Sequence, residues 1–224
     1  MRAIVTGASR GLGLALTRAL SERGWQLAVD ARGAEALEHA VAGLAGVIAV
    51  AGDVADSDHR LRLVETAGEP IDLLVNNASL LGPSPLPPLA RFPLEELRSV
   101  YEANVFAPLA LLQLSLPRFS PHARIVNLIS DAAVEAYETW GGYGSSKAAL
   151  AQITAVLGAE HPGLRVYAVD PGDMRTQMQQ DAFPGEDVSD RPPPDESVPG
   201  LLTLIEGDLP SGLYRARELV AASA

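Results

Sequence analysis

Tyr143 and Lys147 are the two residues whose chemistry depends most clearly on their spacing. They lie four positions apart at the start of an alanine- and leucine-rich run, which predicts a helix. Residues four apart share one helix face, so the phenol and the ammonium can point into the same cleft. A phenol with a pKa near ~10 is a poor acid or base at neutral pH, but a neighbouring ammonium stabilises the phenolate. The pair is therefore a candidate proton-transfer device, although such a pairing also occurs by chance on many helices.

A second candidate site lies at the N-terminus, where a glycine-rich turn joins a strand to a helix. The apolar run Ala3–Val5 ends in Thr6-Gly7-Ala8-Ser9-Arg10-Gly11-Leu12-Gly13, and a helical pattern follows over Leu14–Arg23. Glycines let the backbone approach a ligand, and a helix N-terminus offers free N–H groups and partial positive charge. The spacing is neither Gly-x-Gly-x-x-Gly nor that of a P-loop. It is consistent with a phosphate site or with a tight turn that binds nothing.

The rest of the chain must place these two sites together. Strand and helix patterns alternate with short connections, which predicts an α/β fold: a single-domain, doubly wound parallel sheet of about seven strands flanked by helices on both faces. Residues 173–199 are polar and proline-rich. We interpret them as a mobile flap over the site, with a disordered surface loop as the alternative. The predicted strands are Ala3–Val5, Leu27–Val29, Val47–Val50, Ile71–Val75, Arg124–Ile129, Arg165–Val169 and Gly212–Tyr214; besides those around the two sites, the predicted helices include Ala34–Val41, Leu94–Ser99, Tyr101–Leu116 and Val198–Ile205.

Composition excludes several classes of function. A net charge of −11 argues against a nucleic-acid backbone or an anionic membrane surface as partner. The chain has no cysteine, and its four histidines show no metal-ligand spacing, so we expect no disulfide and no metal site. No apolar run approaches the ~20 residues that span a bilayer, and the N-terminal residues do not resemble a signal peptide. We therefore expect a cytoplasmic protein.

Taken together, Thr6-Gly7-x-x-x-Gly11-x-Gly13 and Tyr143-x-x-x-Lys147 resemble the short-chain dehydrogenase/reductase family. The resemblance covers about residues 3–215 and implies one Rossmann-like dinucleotide-binding and catalytic domain over residues 1–224. One departure stands in the usual Asn-Asn-Ala-Gly, where Ser79 replaces the glycine; we expect it to alter the backbone beside the cofactor and to leave the catalytic residues untouched. Further family landmarks follow in order: Asp53, Asn76-Asn77-Ala78, Asn104, Ser130 and Pro171-Gly172.

The resemblance also implies a role for each catalytic residue. Tyr143 would donate a proton to a substrate carbonyl or accept one from an alcohol, and Lys147 would lower the pKa of Tyr143 and bind the nicotinamide ribose. Ser130 would hold the carbonyl oxygen, and Asn104 would anchor a water that connects Lys147 to solvent. The implied cofactor-binding residues are Thr6, Gly7, Ser9, Arg10, Gly11, Leu12, Gly13, Arg32, Asp53, Val54, Asn77, Ala78, Tyr143, Lys147, Pro171, Gly172, Met174 and Thr176.

The choice of nicotinamide cofactor depends on the residues after the second strand. Relatives that prefer NAD place a carboxylate there, which binds the ribose hydroxyls and repels a 2′-phosphate. Ala31 aligns with that carboxylate, and the guanidinium groups of Arg32 and Arg10 favour NADP(H). An alignment shifted by one residue would make Asp30 the ribose acid and reverse the preference to NAD(H).

The resulting hypothesis is an oxidoreductase that transfers a hydride between NADP(H) and a carbonyl or alcohol substrate. The alternatives are an NAD-dependent alcohol dehydrogenase, an epimerase or dehydratase on the same scaffold, and a cofactor-binding sensor without turnover. Such sensors commonly lose the tyrosine or the lysine, and this chain keeps both. We also expect a homodimer or homotetramer. An apolar or mixed carbonyl substrate is expected from the predicted pocket walls Leu80, Leu81, Met174, Met178 and Phe183.

Overall fold

The computed structural model describes residues 1–221, and seven parallel strands form one sheet in this part of the chain. The strands are β1 (Arg2–Val5), β2 (Gln26–Ala31), β3 (Val47–Ala51), β4 (Ile71–Asn76), β5 (Phe119–Leu128), β6 (Arg165–Asp170) and β7 (Gly212–Arg215). Their order across the sheet is β3-β2-β1-β4-β5-β6-β7, and every neighbouring pair is parallel. This arrangement confirms the predicted doubly wound, Rossmann-like fold.

Helices cover both faces of the sheet. They are α1 (Gly11–Glu22), α2 (Ala34–Val41), α3 (Ser57–Ala67), α4 (Leu94–Tyr101), α5 (Ala107–Ser115), α6 (Gly141–Glu160), α7 (Gln177–Ala182), α8 (Val198–Glu206) and α9 (Ala216–Ala221). A π-helical turn, Glu102–Phe106, joins α4 to α5. Within residues 1–221, every helix is too short or too polar to cross a lipid bilayer.

Alternation along the strands divides the core into two layers. In β1, Ala3 and Val5 face one layer with α1 and α8, while Ile4 faces the other with α3 and α5. Successive side chains of a strand point to opposite faces, so a central strand that is covered on both sides must be apolar throughout. The buried run Ala3–Val5 meets this requirement.

Three predicted elements differ most from the structure. β5 begins at Phe119 rather than Arg124, because Phe119 pairs with Ile71 although the residues between carry no apolar pattern. α1 begins at Gly11, within residues that read as a turn, and the predicted helix Tyr101–Leu116 is interrupted by the π turn. The segment 173–199 contains α7 and a short 3-10 turn, so it is not a featureless loop; its mobility stays a prediction.

The strand order places several loops at one edge of the sheet. The order reverses between β1 and β4, and the chain after each of these strands leaves at the carboxyl edge. In open α/β sheets, ligands bind outside this edge at such a switch point. The glycine-rich turn after β1, Ser79 after β4, Ser130 after β5 and Pro171 after β6 therefore lie around one crevice.

Candidate active site

Tyr143 and Lys147 lie one turn apart on α6, and their side chains are buried, with exposures of 7% and 2%. The Lys147 Nζ lies 5.5 Å from the centroid of the Tyr143 ring. It donates a hydrogen bond of 2.7 Å to the backbone carbonyl of Leu128, the last residue of β5. This bond holds α6 over the carboxyl end of β5, which brings the phenol to the start of the next loop.

The hydroxyl of Ser130 is fixed by the turn that follows β5. It donates to Asp131 Oδ1 at 2.8 Å and accepts from the backbone N–H of Ala132 at 3.2 Å. The other carboxylate oxygen, Asp131 Oδ2, accepts the hydroxyl of Tyr137 at 2.9 Å. The proton of Ser130 is thus directed to a carboxylate, and hydrogen bonding from Ser130 also slightly lowers the pKa of the Tyr143 phenol.

The pKa of Tyr143 shifts in the direction opposite to the predicted one. Burial raises it above the usual value, because the phenolate loses its hydration, and hydrogen bonding from Ser79 and Ser130 lowers it by less. Burial also lowers the pKa of Lys147 to about 7. The prediction that the ammonium would leave Tyr143 with a lowered pKa is therefore wrong for this environment. At neutral pH the phenol keeps its proton and can donate it.

Asn104 occupies the π-helical turn Glu102–Phe106 and is fully buried. Its Oδ1 accepts the Ser79 hydroxyl at 3.1 Å and the Leu80 N–H at 2.7 Å. Its Nδ2 donates to the Leu80 carbonyl and to Ser146 Oγ, each at 2.9 Å. A side-chain amide has two donors and two acceptor positions, and protein groups use all four. The predicted role of Asn104 in anchoring a water stays a prediction. A water could bind Asn104 only at its backbone, or at the side chain in place of one of these four hydrogen bonds.

Ser79, which replaces the glycine usual in the family pattern, contacts residues that were predicted to be catalytic. Its hydroxyl donates to Asn104 Oδ1 and also lies within hydrogen-bonding reach of the Tyr143 phenol. The expectation that this substitution would leave the catalytic residues untouched is wrong. The sequence flagged the position as a departure, but only the packing of the β4 loop against α6 shows what the hydroxyl meets.

The glycine-rich turn is shaped by close packing on Asn77. Gly7 has a φ of +71°, and a Cβ there would lie 2.8 Å from Asn77 Nδ2, which donates to the Thr6 carbonyl at 2.8 Å. A Cβ on Gly13 would overlap the Gly7 carbonyl oxygen. Gly7 and Gly13 thus allow the turn to form, and the side chain of Leu12 faces the core.

The start of α1 fits an anionic ligand. Arg10 is the N-cap and makes no side-chain capping bond, and the first turn carries no acidic residue. Helical N–H groups at such an end lack intrahelical partners, and the helix dipole adds positive charge. A pyrophosphate is the group that this combination holds well. The turn residues Ser9, Arg10 and Gly11 are at least partly exposed at this end, so they are the part of the predicted set placed to bind it.

Asp30 is committed to a structural role beneath this turn. It is 1% exposed; its Oδ1 accepts the Gly7 N–H at 2.8 Å, and its Oδ2 pairs with His59 Nε2 at 2.9 Å. Burial raises the pKa of Asp30, and the bond to His59 lowers it by less. With both oxygens engaged inside the protein, Asp30 cannot serve as a ribose acid. Beyond it, Ala31 ends β2 and the exposed Arg32 follows.

The remaining predicted cofactor residues line the same edge. Thr6 Oγ1 accepts the N–H groups of Asn77 and Ala78 at 3.0 and 2.9 Å, which ties β1 to the loop after β4. The methyl group of Thr176 lies 3.5 Å from the position of a Cβ on Gly11, so the α7 segment faces the glycine-rich turn. After β3, Asp53 accepts a hydrogen bond of 2.9 Å from the Ala55 N–H, and the side chain of Val54 is buried. After β6, Pro171 and Gly172 line the crevice, and Met174 packs against the core.

A cavity of about 380 Å³ opens beside the phenol. Four of the five predicted wall residues line it, whereas Leu80 instead bonds to Asn104 through its backbone. Three carboxylates that the sequence did not single out, those of Asp131, Asp170 and Asp173, belong to lining residues. The full lining is Leu81, Ile129, Ser130, Asp131, Tyr137, Trp140, Tyr143, Asp170, Pro171, Gly172, Asp173, Met174, Thr176, Met178, Gln179 and Phe183.

Comparisons with known proteins agree with this geometry. The family model described as short chain dehydrogenase matches residues 1–187. The chain is 35% identical over 192 residues to 1-deoxy-11-beta-hydroxypentalenate dehydrogenase of Streptomyces arenae, covering 79% of this chain and 68% of that protein. It is 31% identical over 200 residues to gluconate 5-dehydrogenase of Gluconobacter oxydans, covering 84% and 77%. A short chain dehydrogenase of Escherichia coli CFT073, solved in complex with NADPH, superposes with a TM-score of 0.86 at 27% identity, covering 96% and 95%.

Proposed function

Since this chain belongs to the short chain dehydrogenase family and is an NAD(P)-dependent oxidoreductase, we propose that it transfers a hydride between NADP(H) and a carbonyl or alcohol substrate. One observation carries the proposal. Tyr143 and Ser130 line one cavity, and Lys147 Nζ lies 5.5 Å from the Tyr143 ring. Thr176, which lines the same cavity, faces Gly11 at the start of α1.

In the direction of reduction, Tyr143 donates its proton to the substrate oxygen. Its raised pKa keeps the phenol protonated at neutral pH, which is the state that a proton donor needs. Ser130 holds the substrate oxygen beside the phenol once its hydroxyl turns from Asp131 Oδ1 to that oxygen. The nicotinamide supplies the hydride when it is bound. Lys147 contributes positive charge that stabilises the phenolate once the proton has left, and its protonation changes near neutral pH because its pKa is about 7.

Two exposed guanidinium groups support NADP(H) as the preferred cofactor. Arg10 caps α1 after β1, and Arg32 follows the neighbouring strand β2, so both lie at the carboxyl edge where a 2′-phosphate would sit. The carboxylate of Asp30, which would repel that phosphate, is paired with His59 instead. The E. coli relative bound NADPH in its structure. These observations favour NADP(H) over NAD(H).

The cavity supports a partly apolar carbonyl substrate. Leu81, Met178 and Phe183 supply apolar walls beside Tyr143. We propose that residues 173–199, which carry α7 over the crevice, move to admit the substrate. A homodimer or homotetramer in the cytoplasm is the setting we propose, and light scattering at micromolar concentration tests the assembly, with a monomer contradicting it.

The first test is turnover of NADPH with a panel of aldehydes, ketones and diketones, followed by absorbance. Tyr143→Phe should lower kcat by about 10²- to 10⁴-fold, the usual contribution of a positioned proton donor, with NADPH binding retained. Tyr101→Phe is the matched control, because Tyr101 lies at the end of α4 and packs on Phe106. Undiminished turnover by Tyr143→Phe would show that Tyr143 is not the acid.

The second test concerns the cofactor. Arg32→Ser should lower kcat/KM for NADPH by about tenfold or more, the loss of one charged contact to a phosphate, and should leave kcat/KM for NADH nearly unchanged. Arg98→Ser is the control, since Arg98 forms an exposed ion pair with Glu95 on α4. A wild-type preference for NADH, or an equal loss with both cofactors, would contradict the assignment.

A further inference from the structure

Ser79 lies between Asn104 in the π-helical turn and Tyr143 on α6. It lies in the loop after β4, half-buried, and its Oγ donates to Asn104 Oδ1 at 3.1 Å. Asn104 in turn donates to Ser146 Oγ at 2.9 Å, and Ser146 donates to the Tyr143 backbone carbonyl at 2.6 Å. This network holds the Ser79 hydroxyl against the helix turn that presents the phenol.

We propose that Ser79 is a positioning residue for the proton transfer, in which its hydroxyl turns from Asn104 to the Tyr143 phenolate as the proton leaves. This inference rests on the proposed function. It assigns a role to a hydroxyl that the more usual glycine at this position cannot supply.

The bonds of the two neighbouring serines explain why Ser79 rather than Ser130 has this role. The proton of Ser130 is held by the carboxylate of Asp131 at 2.8 Å, and hydrogen bonds to ionised acceptors are roughly twice as strong as neutral ones. The proton of Ser79 is held by a neutral amide oxygen at the longer distance of 3.1 Å. It is therefore easier to redirect. In agreement, hydrogen bonding from Ser79 outweighs that from Ser130 in lowering the pKa of Tyr143.

The rotation leaves every polar group satisfied. When Ser79 turns away, Asn104 Oδ1 keeps the Leu80 N–H at 2.7 Å, so the buried amide oxygen is not left without a donor. Before the substrate binds, the phenol O–H can donate to Ser79 Oγ, because the serine proton then points to Asn104. The hydroxyl thus has a bonded orientation in both protonation states of Tyr143.

The chemical step balances without any bond to Ser79 breaking. As the carbonyl carbon gains a hydride, the electron pair of the carbonyl π bond moves to the substrate oxygen. That oxygen takes the proton from Tyr143 Oη, whose O–H bonding pair remains on the phenolate. Ser79 then donates a hydrogen bond to the phenolate while keeping its own proton. In alcohol oxidation the same events run backwards.

The test compares Ser79→Ala, Ser79→Gly and Ser79→Thr in the oxidation of an alcohol corresponding to a carbonyl from the panel, over about pH 6 to 10.5. Oxidation requires the phenolate, so kcat rises with pH toward the pKa of Tyr143 in the loaded enzyme. Because burial already raises this pKa above its usual value, kcat should rise with pH across the whole range without a plateau. Loss of the Ser79 bond should move this rising limb upward by about one to two pH units, which lowers kcat for oxidation about ten- to a hundredfold at each pH. The reverse reduction, which starts from the protonated phenol, should be slowed less. KM and NADP(H) binding should change little, and Ser79→Thr should restore both the rate and the pH profile.

Ser79→Gly keeps the proposal testable if Ser79→Ala folds poorly, since glycine is the residue usual at this position. Ser99→Ala is the control, because Ser99 bonds to the Glu95 carbonyl on the exposed side of α4. Folded Ser79→Ala or Ser79→Gly enzymes with the wild-type pH profile would overturn the assignment of Ser79 while leaving the proposed function intact. A Tyr143→Phe enzyme that still turned over would instead overturn the proposed function.

Discussion

Lys147 allows a direct measurement of the electrostatics of the candidate active site, because it is the single lysine of the chain. Its side chain is 2% exposed, and burial lowers its pKa from 10.5 to about 7. The perturbation is Lys147→Met, which keeps an unbranched side chain of similar size and removes the titrating group. Comparison of the two proteins cancels the contributions of the other titrating groups.

The sign follows from the protons bound in each state. Between pH 7 and 10.5, the unfolded lysine stays protonated while the folded one loses its proton. The unfolded state then binds more protons, so the free energy of unfolding of the wild type rises with pH across this window. Below pH 7 both states are protonated, and folding carries the whole cost of the buried charge. For a shift from 10.5 to about 7, this cost is about 5 kcal/mol, at ~1.4 kcal/mol for each pH unit.

We therefore expect the stability of wild type relative to Lys147→Met to rise by up to about 5 kcal/mol between pH 6 and 10.5. Loss of the hydrogen bond from Lys147 to the Leu128 carbonyl adds an offset that depends little on pH. Urea unfolding followed by tryptophan fluorescence measures this difference. In addition, lysine labelled with ¹³C at Cε provides one side-chain NMR signal, which should titrate with a midpoint near 7.

Arg98→Met is the control, because Arg98 is exposed on α4 and its ion pair with Glu95 lies at the surface. Its stability difference from wild type should stay constant between pH 6 and 10. A constant difference for Lys147→Met as well, or an NMR midpoint near 10.5, would refute the reasoning from burial.

Two further predictions concern stability. Gly200→Ala should lower the free energy of unfolding by about 3 kcal/mol or more, because its Cβ would overlap the Ala216 carbonyl oxygen. Gly163→Ala is the control and should change the free energy of unfolding little, because its Cβ would meet nothing closer than 3.9 Å. Equal denaturation midpoints for the two variants would contradict this packing. Asp30→Ala should cost about 3 to 5 kcal/mol, since it leaves buried His59 without its partner. A double-mutant cycle with His59→Ala should give a coupling of about 1 to 3 kcal/mol, whereas strictly additive effects would show that the pair does not interact.

The sequence alone determined the order of strands and helices along the chain and the position of the candidate active site. The apolar run Ala3–Val5 and the glycine-rich turn after it predicted β1 and the start of a phosphate site, because strand periodicity and turn chemistry are local properties. The four-residue spacing of Tyr143 and Lys147 predicted their shared helix face for the same reason. Boundaries such as the start of β5 were missed, since Phe119 enters the strand through pairing with Ile71 rather than through its own pattern.

Only the tertiary structure decided the states and partners of these groups. Asp30 was open to two interpretations until His59, which is distant in the chain, was found against its carboxylate. The effect of Ser79 on its neighbours depends on the contacts of the loop after β4 with Asn104 and Tyr143, which are distant in the chain. The pKa of Tyr143 rises rather than falls, because burial by the surrounding loops outweighs its hydrogen bonds. Burial and long-range contacts depend on the whole fold, so no local pattern of residues can specify them.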